Sequence, residues 1–298
     1  MKVAYYPGCS QEGSALDYGQ STGALCSALG IELEELPDWT CCGSTPAHAV
    51  SSELSAALCA RNLDIAAKQQ SETVVTPCPS CLSNLRTAHF KMKKEEDFRK
   101  RVNELLDEPA AENLPEALSI MQFIGRHFDF EQIKAAVKKP LTGIKVACYY
   151  GCLMSRPPEI MDFGDPENPM LMESLLGACG AEIIDFPLKT VCCGASFGIS
   201  KRSLTAVNSG KILELAKEMQ ADVVAVACPL CQMNLDLRQK QAAKAVNAIF
   251  SIPIMYFTQL MGLAFNISPE HLGINKLCVN PESIVNRIEA NSTQGGAA

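Results

Sequence analysis

The sequence predicts an α/β protein built from two similar units, each with a doubly wound parallel sheet. Three observations predict it: the chain repeats itself at an offset near 150 residues, short apolar runs alternate with helical patterns, and cysteines follow the apolar runs. Strands that alternate with helices form parallel sheets joined by right-handed crossovers. The carboxyl ends of such strands meet along one edge, so we expect the cysteines of each unit to converge there.

Three stretches of the first half match three stretches of the second half. They are VAYYPGC (3–9) with VACYYGC (146–152), residues 28–43 with 178–194, and TPCPSCLSNL (76–85) with VACPLCQMNL (226–235). The helical pattern stops near Pro140, which predicts two pseudo-symmetric domains at 1–140 and 141–290. A fourth stretch, ALSIMQFI (117–124), echoes PIMYFTQL (253–260). Leu85 to Met121 is 36 positions, whereas Leu235 to Met255 is only 20, which predicts a charged helical insertion around 90–116. Residues 291–298 are expected to form a disordered tail.

The elements come in the same order in both units. A β-rich run leads to a single cysteine, and the next helix ends near Gly30 or Gly180, because glycine suits a helix C-terminus. A second strand ends at Pro37 or Pro187, just before Cys-Cys-Gly. A helix with apolar residues at helical spacing then leads to a third strand, which runs into Cys-Pro-x-Cys. Each unit is therefore expected to be Rossmann-like.

Bulk composition excludes several classes of protein. A net charge of −7 argues against nucleic acid as a partner, since a nucleic-acid binder carries a basic face. The N-terminus lacks the apolar run of a signal peptide. The longest apolar stretch, IPIMYFTQLMGLAFNI, is too short to span a bilayer. We therefore expect a cytoplasmic protein without membrane insertion.

Ten of the fifteen cysteines fall into two matched sets of five. The spacing is C-x31-CC-x35-C-x2-C in the first unit and C-x39-CC-x34-C-x2-C in the second. The two sets are Cys9, Cys41, Cys42, Cys78 and Cys81, and Cys152, Cys192, Cys193, Cys228 and Cys231. The other five (Cys26, Cys59, Cys148, Cys179 and Cys278) are expected to be small buried apolar residues.

Five cysteines per unit indicate an unusual metal site. Structural zinc and ordinary cubane clusters both take four protein ligands. Adjacent side chains in extended backbone point in opposite directions, so a Cys-Cys pair does not easily bind one ion. The pattern favours an iron–sulfur site that is not a standard cube, with zinc in one or both units as the alternative.

The doubled pattern resembles the CCG-domain family, and within it the B subunit of heterodisulfide reductases. The similarity covers nearly the whole chain, and it includes the loop GCLMSRPPEIMDFGDPENPM (151–170). The resemblance implies that each five-cysteine set holds a noncubane [4Fe–4S] cluster. It also implies that the ten cysteines are both cluster ligands and catalytic residues.

The resemblance further implies a function and partners. The chain would be the catalytic subunit of a heterodisulfide reductase-type complex in anaerobic metabolism, reducing the mixed disulfide of coenzyme M and coenzyme B or an analogue. A flavin-containing A subunit would reduce a ferredoxin-like C subunit, which would supply the electrons. Cleaving a disulfide takes two electrons and a cluster delivers one at a time, so two clusters flanking the bond would match that need.

Two other functions stay open from the sequence. CCG units also occur in fumarate-, lactate- and glycerol phosphate-linked systems, so the chain could be a non-catalytic electron-transfer or docking subunit. It could also be a zinc-stabilised interaction module.

Residues outside the cysteine sets give weaker signals. His48 follows the first double cysteine and is a candidate proton donor, although a surface role is the simpler interpretation. Arg156, Lys189, Lys201 and Arg202 lie near cysteines of the second unit and are candidate substrate-anion ligands, with exposed charge as the simpler interpretation. The sequence has no phosphate-binding glycine loop in the expected context, which argues against a nucleotide or flavin site in this chain.

Overall fold

The computed structural model describes residues 1–44 and 46–291, and within them it contains two four-stranded sheets with only parallel strand pairs. The strand orders are β2-β1-β3-β4 and β6-β5-β7-β8, so the second sheet repeats the topology of the first. The predicted fold class is confirmed. The strands are β1 Lys2–Tyr5, β2 Glu32–Glu35, β3 Thr73–Thr76, β4 Glu116–Ser119, β5 Lys145–Tyr149, β6 Glu182–Ile184, β7 Val223–Val226 and β8 Ile254–Tyr256.

Helices cover both faces of each sheet. Those of the first half are α1 Leu16–Ala28, α2 Pro46–Val50, α3 Ser52–Lys68, α4 Pro79–Lys94, α5 Glu96–Asn103, α6 Ile120–His127 and α7 Phe130–Ala136. Those of the second half are α8 Pro158–Met161, α9 Leu171–Ala178, α10 Arg202–Glu218, α11 Pro229–Leu235, α12 Gln239–Val246, α13 Phe257–Ala264 and α14 Glu282–Asn291. Two 3₁₀ helices span Ala195–Gly198 and Ile274–Lys276. Within the described residues, no helix is long and apolar enough to cross a membrane.

The central strands match in register as well as in sequence. Ala4 of β1 pairs with Val74 of β3, and Ala147 of β5 pairs with Val224 of β7. These strands are almost completely buried, as expected for parallel strands covered by helices on both sides. The edge strand β2 is largely exposed.

The fourth strand of each sheet, β4 or β8, was missed by the sequence analysis. Its residues, EALS and IMY, form strands of only four and three residues that lead directly into α6 and α13. Short apolar runs do not distinguish a strand from the start of a helix. Ser119 then begins α6 with a capping box, in which its side chain and that of Gln122 bond reciprocally to backbone N–H groups.

The charged segment 90–116 differs in detail from the prediction. Helix α4 continues to Lys94 and helix α5 ends at Asn103, so the segment is helical only in its first part. The domain bounds at 1–140 and 141–290 and the insertion stay predictions. Of the proposed tail, Asn291 ends α14, and residues 292–298 lie outside the described part.

The two units interlock through several sets of contacts. Helix α1 of the first unit packs against α13 of the second, where the Ser21 and Thr258 hydroxyls are 2.7 Å apart. Arg86 of α4 donates hydrogen bonds to the backbone oxygens of Ile160 and Met161 in the second unit. Gln122 also donates to the Met161 oxygen. Buried apolar residues of both units form one continuous core, which fixes the two cysteine-bearing edges relative to each other.

Candidate metal centres

The ends of three strands bring each cysteine set together. Strands β1 and β5 lead through Gly8 and Gly151, both with φ of +71°, to Cys9 and Cys152. Strands β2 and β6 lead to the two Cys-Cys-Gly loops, and β3 and β7 lead to Cys78 and Cys228. Each Cys-Pro-x-Cys segment begins a helix, α4 or α11, with proline in its first turn. The predicted convergence at the carboxyl edge of each sheet is therefore present.

Within each set, the sulfurs form a buried group of three and an outer pair. Cys42 and Cys81 have their sulfurs 3.4 Å apart, and Cys193 and Cys231 have theirs 3.5 Å apart. Cys78 and Cys228 interact with Cys81 and Cys231 and complete the buried groups. The outer pairs are Cys9 with Cys41 and Cys152 with Cys192.

Each set is open to solvent on one side only. The outer thiols of Cys9, Cys41 and Cys192 are exposed, and Cys152 is half-buried. The inner thiols are buried: Cys42, Cys78 and Cys81 in the first unit, and Cys193, Cys228 and Cys231 in the second. A group bound by five such ligands would be anchored in the protein and reachable from one face.

Proton sharing among the thiols favours thiolate at defined positions. A hydrogen bond from Cys152 lowers the pKa of Cys192 to about 5, and one from Cys81 lowers the pKa of Cys78 to about 7. Hydrogen bonds from Cys81 and Cys231 likewise lower the pKa values of Cys42 and Cys193. Thiolate is the form of cysteine that binds metal.

Backbone groups add support around the sulfurs. The Gly43 N–H donates to Cys41 Sγ at 3.4 Å, and the Gly194 N–H donates to Cys192 Sγ at 3.3 Å. A Cβ atom on Gly8 would lie 2.9 Å from Cys81 Sγ, and one on Gly151 would lie 2.9 Å from Cys231 Sγ. Both positions therefore admit only glycine without a shift of the neighbouring sulfur.

Two pairs of supporting residues were not singled out from the sequence. Tyr6 Oη donates to the oxygen of Thr40, directly before Cys41, at 2.8 Å, and Tyr149 Oη donates to the oxygen of Val191, directly before Cys192, at 2.6 Å. Asn84 Nδ2 donates to the Cys42 oxygen at 3.0 Å. Asn234 Nδ2 lies 3.5 Å from Cys193 Sγ. Their signal was the repeat itself, since each tyrosine and each asparagine has a counterpart in the other unit.

The donor set fits a multi-iron group better than a single hard ion. Thiolates are soft ligands that select zinc, copper(I) or iron–sulfur clusters. In the described ranges 1–44 and 46–291, no group of three or more His, Cys, Asp or Glu side chains is placed so that it could hold a metal ion. The matched thiols, the donors to sulfur and the two glycines that leave room at the sulfurs all fit a bound iron–sulfur group.

Two expectations about other residues were wrong. Cys278 is exposed, with its backbone N–H bonded to Asp236, whereas Cys26, Cys59, Cys148 and Cys179 are buried as expected. Lys189 is not exposed: it is 3% accessible and its Nζ lies 2.7 Å from Glu173 Oε1. A lysine on a loop gives no sign of burial until its carboxylate partner on α9 is placed beside it.

The remaining charged candidates are half-buried or exposed. Arg156 bonds to Glu167 and to the oxygen of Thr190, so it holds the 151–170 loop against the segment before Cys192. His48, Lys201 and Arg202 are exposed.

A pair of tyrosines lies between the two cysteine sets. Tyr18 of α1 and Tyr256 at the end of β8 are stacked, with ring centroids 3.9 Å apart and planes within 2°. Tyr18 Oη donates to the oxygen of Ala227, the residue before Cys228, at 3.3 Å. Burial, together with negative charge on Cys78 and Cys228, raises the pKa of both tyrosines. Their hydroxyls therefore stay protonated.

Comparison with known proteins supports the repeat. The CCG cysteine-rich domain matches twice, at residues 3–86 and 146–236. The chain is 32% identical to the membrane anchor subunit of 8-methylmenaquinol:fumarate reductase from Wolinella succinogenes, over 92% of this chain and 95% of that one. It is 30% identical to the B subunit of the ferredoxin:CoB-CoM heterodisulfide reductase from Methanosarcina mazei, over 93% and 94%.

A third relative and a solved structure extend the likeness. A protein from Archaeoglobus profundus, described as like the B subunit of heterodisulfide reductase, is 28% identical over 98% of this chain and 99% of its own. A crystal structure of a hypothetical protein from Helicobacter pylori matches with a TM-score of 0.74 at 13% identity, over 94% of this chain. The chain spans about half (52%) of that structure, which shows the fold alone. With both units matched, the chain belongs to the CCG cysteine-rich domain family.

Proposed function

We propose that the chain is the catalytic subunit of a heterodisulfide reductase-type complex. The reaction is R–S–S–R′ + 2e⁻ + 2H⁺ → R–SH + R′–SH, with the mixed disulfide of coenzyme M and coenzyme B or an analogue as substrate. The observation that carries the proposal is the presence of two equivalent five-thiol sets, each open on one side, in one interlocked molecule.

Each set would hold one noncubane [4Fe–4S] cluster. The ligands are Cys9, Cys41, Cys42, Cys78 and Cys81 in the first unit, and Cys152, Cys192, Cys193, Cys228 and Cys231 in the second. When bound, such a cluster supplies one electron at a time and an iron with Lewis-acid character. Two centres in one chain match the two electrons that the S–S bond needs.

The protein's own groups stabilise the sulfurs, position the loops that carry them and exclude water from one side of each centre. The Gly43 and Gly194 N–H groups stabilise charge on the outer sulfurs of Cys41 and Cys192. Tyr6 and Tyr149 fix the loops that carry those sulfurs. Burial of the inner thiols excludes water from one side of each centre, while the exposed outer side admits substrate or a partner. Electrons would come from a ferredoxin-like C subunit, supplied by a flavin-containing A subunit.

The test compares two cysteine substitutions in the intact complex, prepared without oxygen. Cys193→Ala removes a buried ligand, whereas Cys179→Ala removes an equally buried thiol outside the sets. We expect about eight irons per wild-type chain, lowered in Cys193→Ala together with disulfide turnover, and both unchanged in Cys179→Ala. Full turnover by Cys193→Ala, or zinc without iron in the wild type, contradicts the proposal.

A second candidate function is a non-catalytic electron-transfer or docking subunit. The observation that favours it is the 32% identity to the fumarate reductase anchor subunit. The same preparation distinguishes the two functions. Clusters that pass electrons between partner subunits, in a complex that reduces no disulfide, would support the second function.

A further inference from the structure

A polar cavity of about 250 Å³ lies in the first unit, between the N-terminal turns of α3 and α4. His48 and Lys91 supply N–H donors to its wall. Hydroxyl groups also line it, from Ser44, Ser52, Ser55, Ser80, Ser83 and Thr87. None of the described residues that line the cavity is acidic. Hydroxyl donors around a lysine, with no carboxylate among them, suit a bound anion.

Three of these hydroxyl groups are without a hydrogen-bond partner. Ser55 is only 6% accessible, yet its side chain makes no hydrogen bond within residues 1–44 and 46–291. The same holds for the half-buried Ser83 and Thr87 among the described residues. Ser52 differs, since its hydroxyl donates to Glu53 Oε2 at 3.0 Å. Buried hydroxyls on a cavity wall normally have a partner, so the three free ones indicate a ligand that supplies acceptor atoms.

The positive charge at the cavity is also available to a ligand. Lys91 Nζ lies 5.4 Å from the ring centre of Phe98, a buried residue of α5 that lines the same cavity. Lys91 forms no ion pair with any described carboxylate. Helices α3 and α4, of 17 and 16 residues, both begin at the cavity, so the positive ends of two helix dipoles add to its charge.

The repeat diverges at this cavity, although it preserves the thiols beside it. On the helix after Cys-Pro-x-Cys, the second unit has Leu230, Met233 and Leu237 where the first has Ser80, Ser83 and Thr87. The equivalent of Ser55 is Thr205, whose hydroxyl donates to the Gly194 oxygen at 3.0 Å and is therefore not free. Positions needed only to hold a metal group would be alike in both units. The hydroxyl lining therefore serves a purpose that belongs to the first unit alone.

The cavity lies beside segments of both cysteine sets. Ser44 directly follows the first Cys-Cys-Gly, and Ser80 lies between Cys78 and Cys81. Leu153, which directly follows Cys152, lines the cavity from the second unit. A molecule that extends from the space between the two sets can therefore place one end in this cavity.

We propose that this cavity binds the anionic end of the disulfide substrate, a tetrahedral oxyanion such as a sulfonate or a phosphate. The inference rests on the proposed disulfide reduction and adds the residues that hold one half of the substrate. Lys91 supplies the opposite charge, and Ser55, Ser83 and Thr87 donate hydrogen bonds to the oxygens of the anion. These residues position the substrate and take no part in breaking the S–S bond. The half that carries the oxyanion is thereby directed to the first unit.

The test measures binding by calorimetry in the anaerobic, cluster-containing complex without a reductant, so that no turnover occurs. The probes are bis(2-sulfonatoethyl) disulfide, its uncharged analogue bis(2-hydroxyethyl) disulfide, and inorganic phosphate. Lys91→Gln removes the charge, and Ser83→Met/Thr87→Leu installs the side chains of the second unit. We expect each variant to raise the Kd of the sulfonated disulfide about tenfold, the loss of one charge-assisted contact, and that of the uncharged disulfide less than about twofold.

Two matched controls accompany these variants. Lys94→Gln removes an exposed lysine from the end of the same helix. Met233→Ser/Leu237→Thr makes the reverse exchange in the second unit. Both should leave the Kd of the sulfonated disulfide within about twofold of the wild-type value.

Turnover measurements separate failure of this inference from failure of the proposed function. A wild-type complex that reduces the sulfonated disulfide, with Lys91→Gln and Ser83→Met/Thr87→Leu binding it as tightly as the wild type does, overturns the cavity assignment alone. A wild type that reduces neither disulfide overturns the proposed function, and the Kd values then still decide whether the cavity binds the oxyanion. Phosphate that binds through Lys91 and is not displaced by the sulfonated disulfide overturns the inference, because the cavity would then serve a free inorganic ion.

Discussion

The cysteine loops of the two units have the same arrangement of sulfurs but are supported by different residues. The sulfurs of Cys42 and Cys81 are 3.4 Å apart, and those of Cys193 and Cys231 are 3.5 Å apart. Gly8 and Gly151 have the same φ, and a Cβ atom on either glycine would lie 2.9 Å from a sulfur. These features come from residues that the repeat preserves. The arrangement of the thiols is therefore determined by backbone shared by both units.

The supporting layer beneath the loops is different. In the second unit, Lys189 and Glu173 form a buried ion pair, and Tyr150 donates its hydroxyl to Glu173. The backbone N–H of Tyr150 also donates to the Lys189 oxygen at 2.8 Å. In the first unit, the equivalents of Tyr150 and Lys189 are Pro7, which has no N–H, and Trp39, whose Nε1 donates to Glu35. One thiol geometry can thus rest on two different supports, and the second includes the buried ion pair of Lys189 and Glu173.

Removing the buried cation should have the largest effect on the stability of the second unit. Lys189→Met leaves Glu173 buried without its counter-charge, which typically costs about 3–5 kcal/mol. We expect this loss in the free energy of unfolding, measured by urea denaturation without oxygen. The double variant Lys189→Met/Glu173→Gln should recover most of it, because no unpaired charge remains.

Lys211→Met is the matched control for that comparison, since Lys211 is an exposed lysine of α10. Its effect should stay within about 0.5 kcal/mol. A Lys189→Met chain as stable as the wild type would show that the second unit does not depend on the ion pair. The contrast between the two units would then have no energetic meaning.

The shared glycines offer a test of the likeness. Gly8→Ala and Gly151→Ala should each cost about 1–3 kcal/mol, because alanine is strained at positive φ and its methyl group would contact a sulfur. Gly30→Ala, at a φ of +70° with open space around it, should cost only the backbone part. Iron content should fall in the first two variants and not in the third. Unequal losses for Gly8→Ala and Gly151→Ala would show that the two sites are not equivalent.

What the sequence could predict follows from which features are local. Strand ends that carry cysteines are local patterns, and the parallel topology converts them into convergent sites, so the ten candidate ligands were found without coordinates. The pairing of Lys189 with Glu173 and the stack of Tyr18 on Tyr256 join segments that no repeat or spacing relates. The second pair crosses the interface between units, which only the packed structure defines. Strands β4 and β8 were missed because strands of three or four residues directly before a helix are too short to show a distinct period.

The smallest effect should come from the residue that precedes the third strand in each unit. Asp222 accepts hydrogen bonds from Arg287 and from the Lys145 N–H, whereas its equivalent, Glu72, has no ion pair within the described residues. Partial burial opposes ionisation of Asp222, but Arg287 and the Lys145 N–H outweigh it and lower the pKa below its usual value. The stabilisation is therefore complete above the unfolded-state pKa, near 4, and is lost as the pH falls through the lowered native value.

We expect Asp222→Asn to lower the free energy of unfolding by about 0.5–1 kcal/mol at pH 7, a small value because solvent screens this half-exposed pair. Glu72→Gln should change it by about zero. Urea denaturation from pH 7 to pH 3 should show the Asp222 difference shrinking as the pH falls; a difference that stays constant would mean that packing, not charge, holds α14 against this strand.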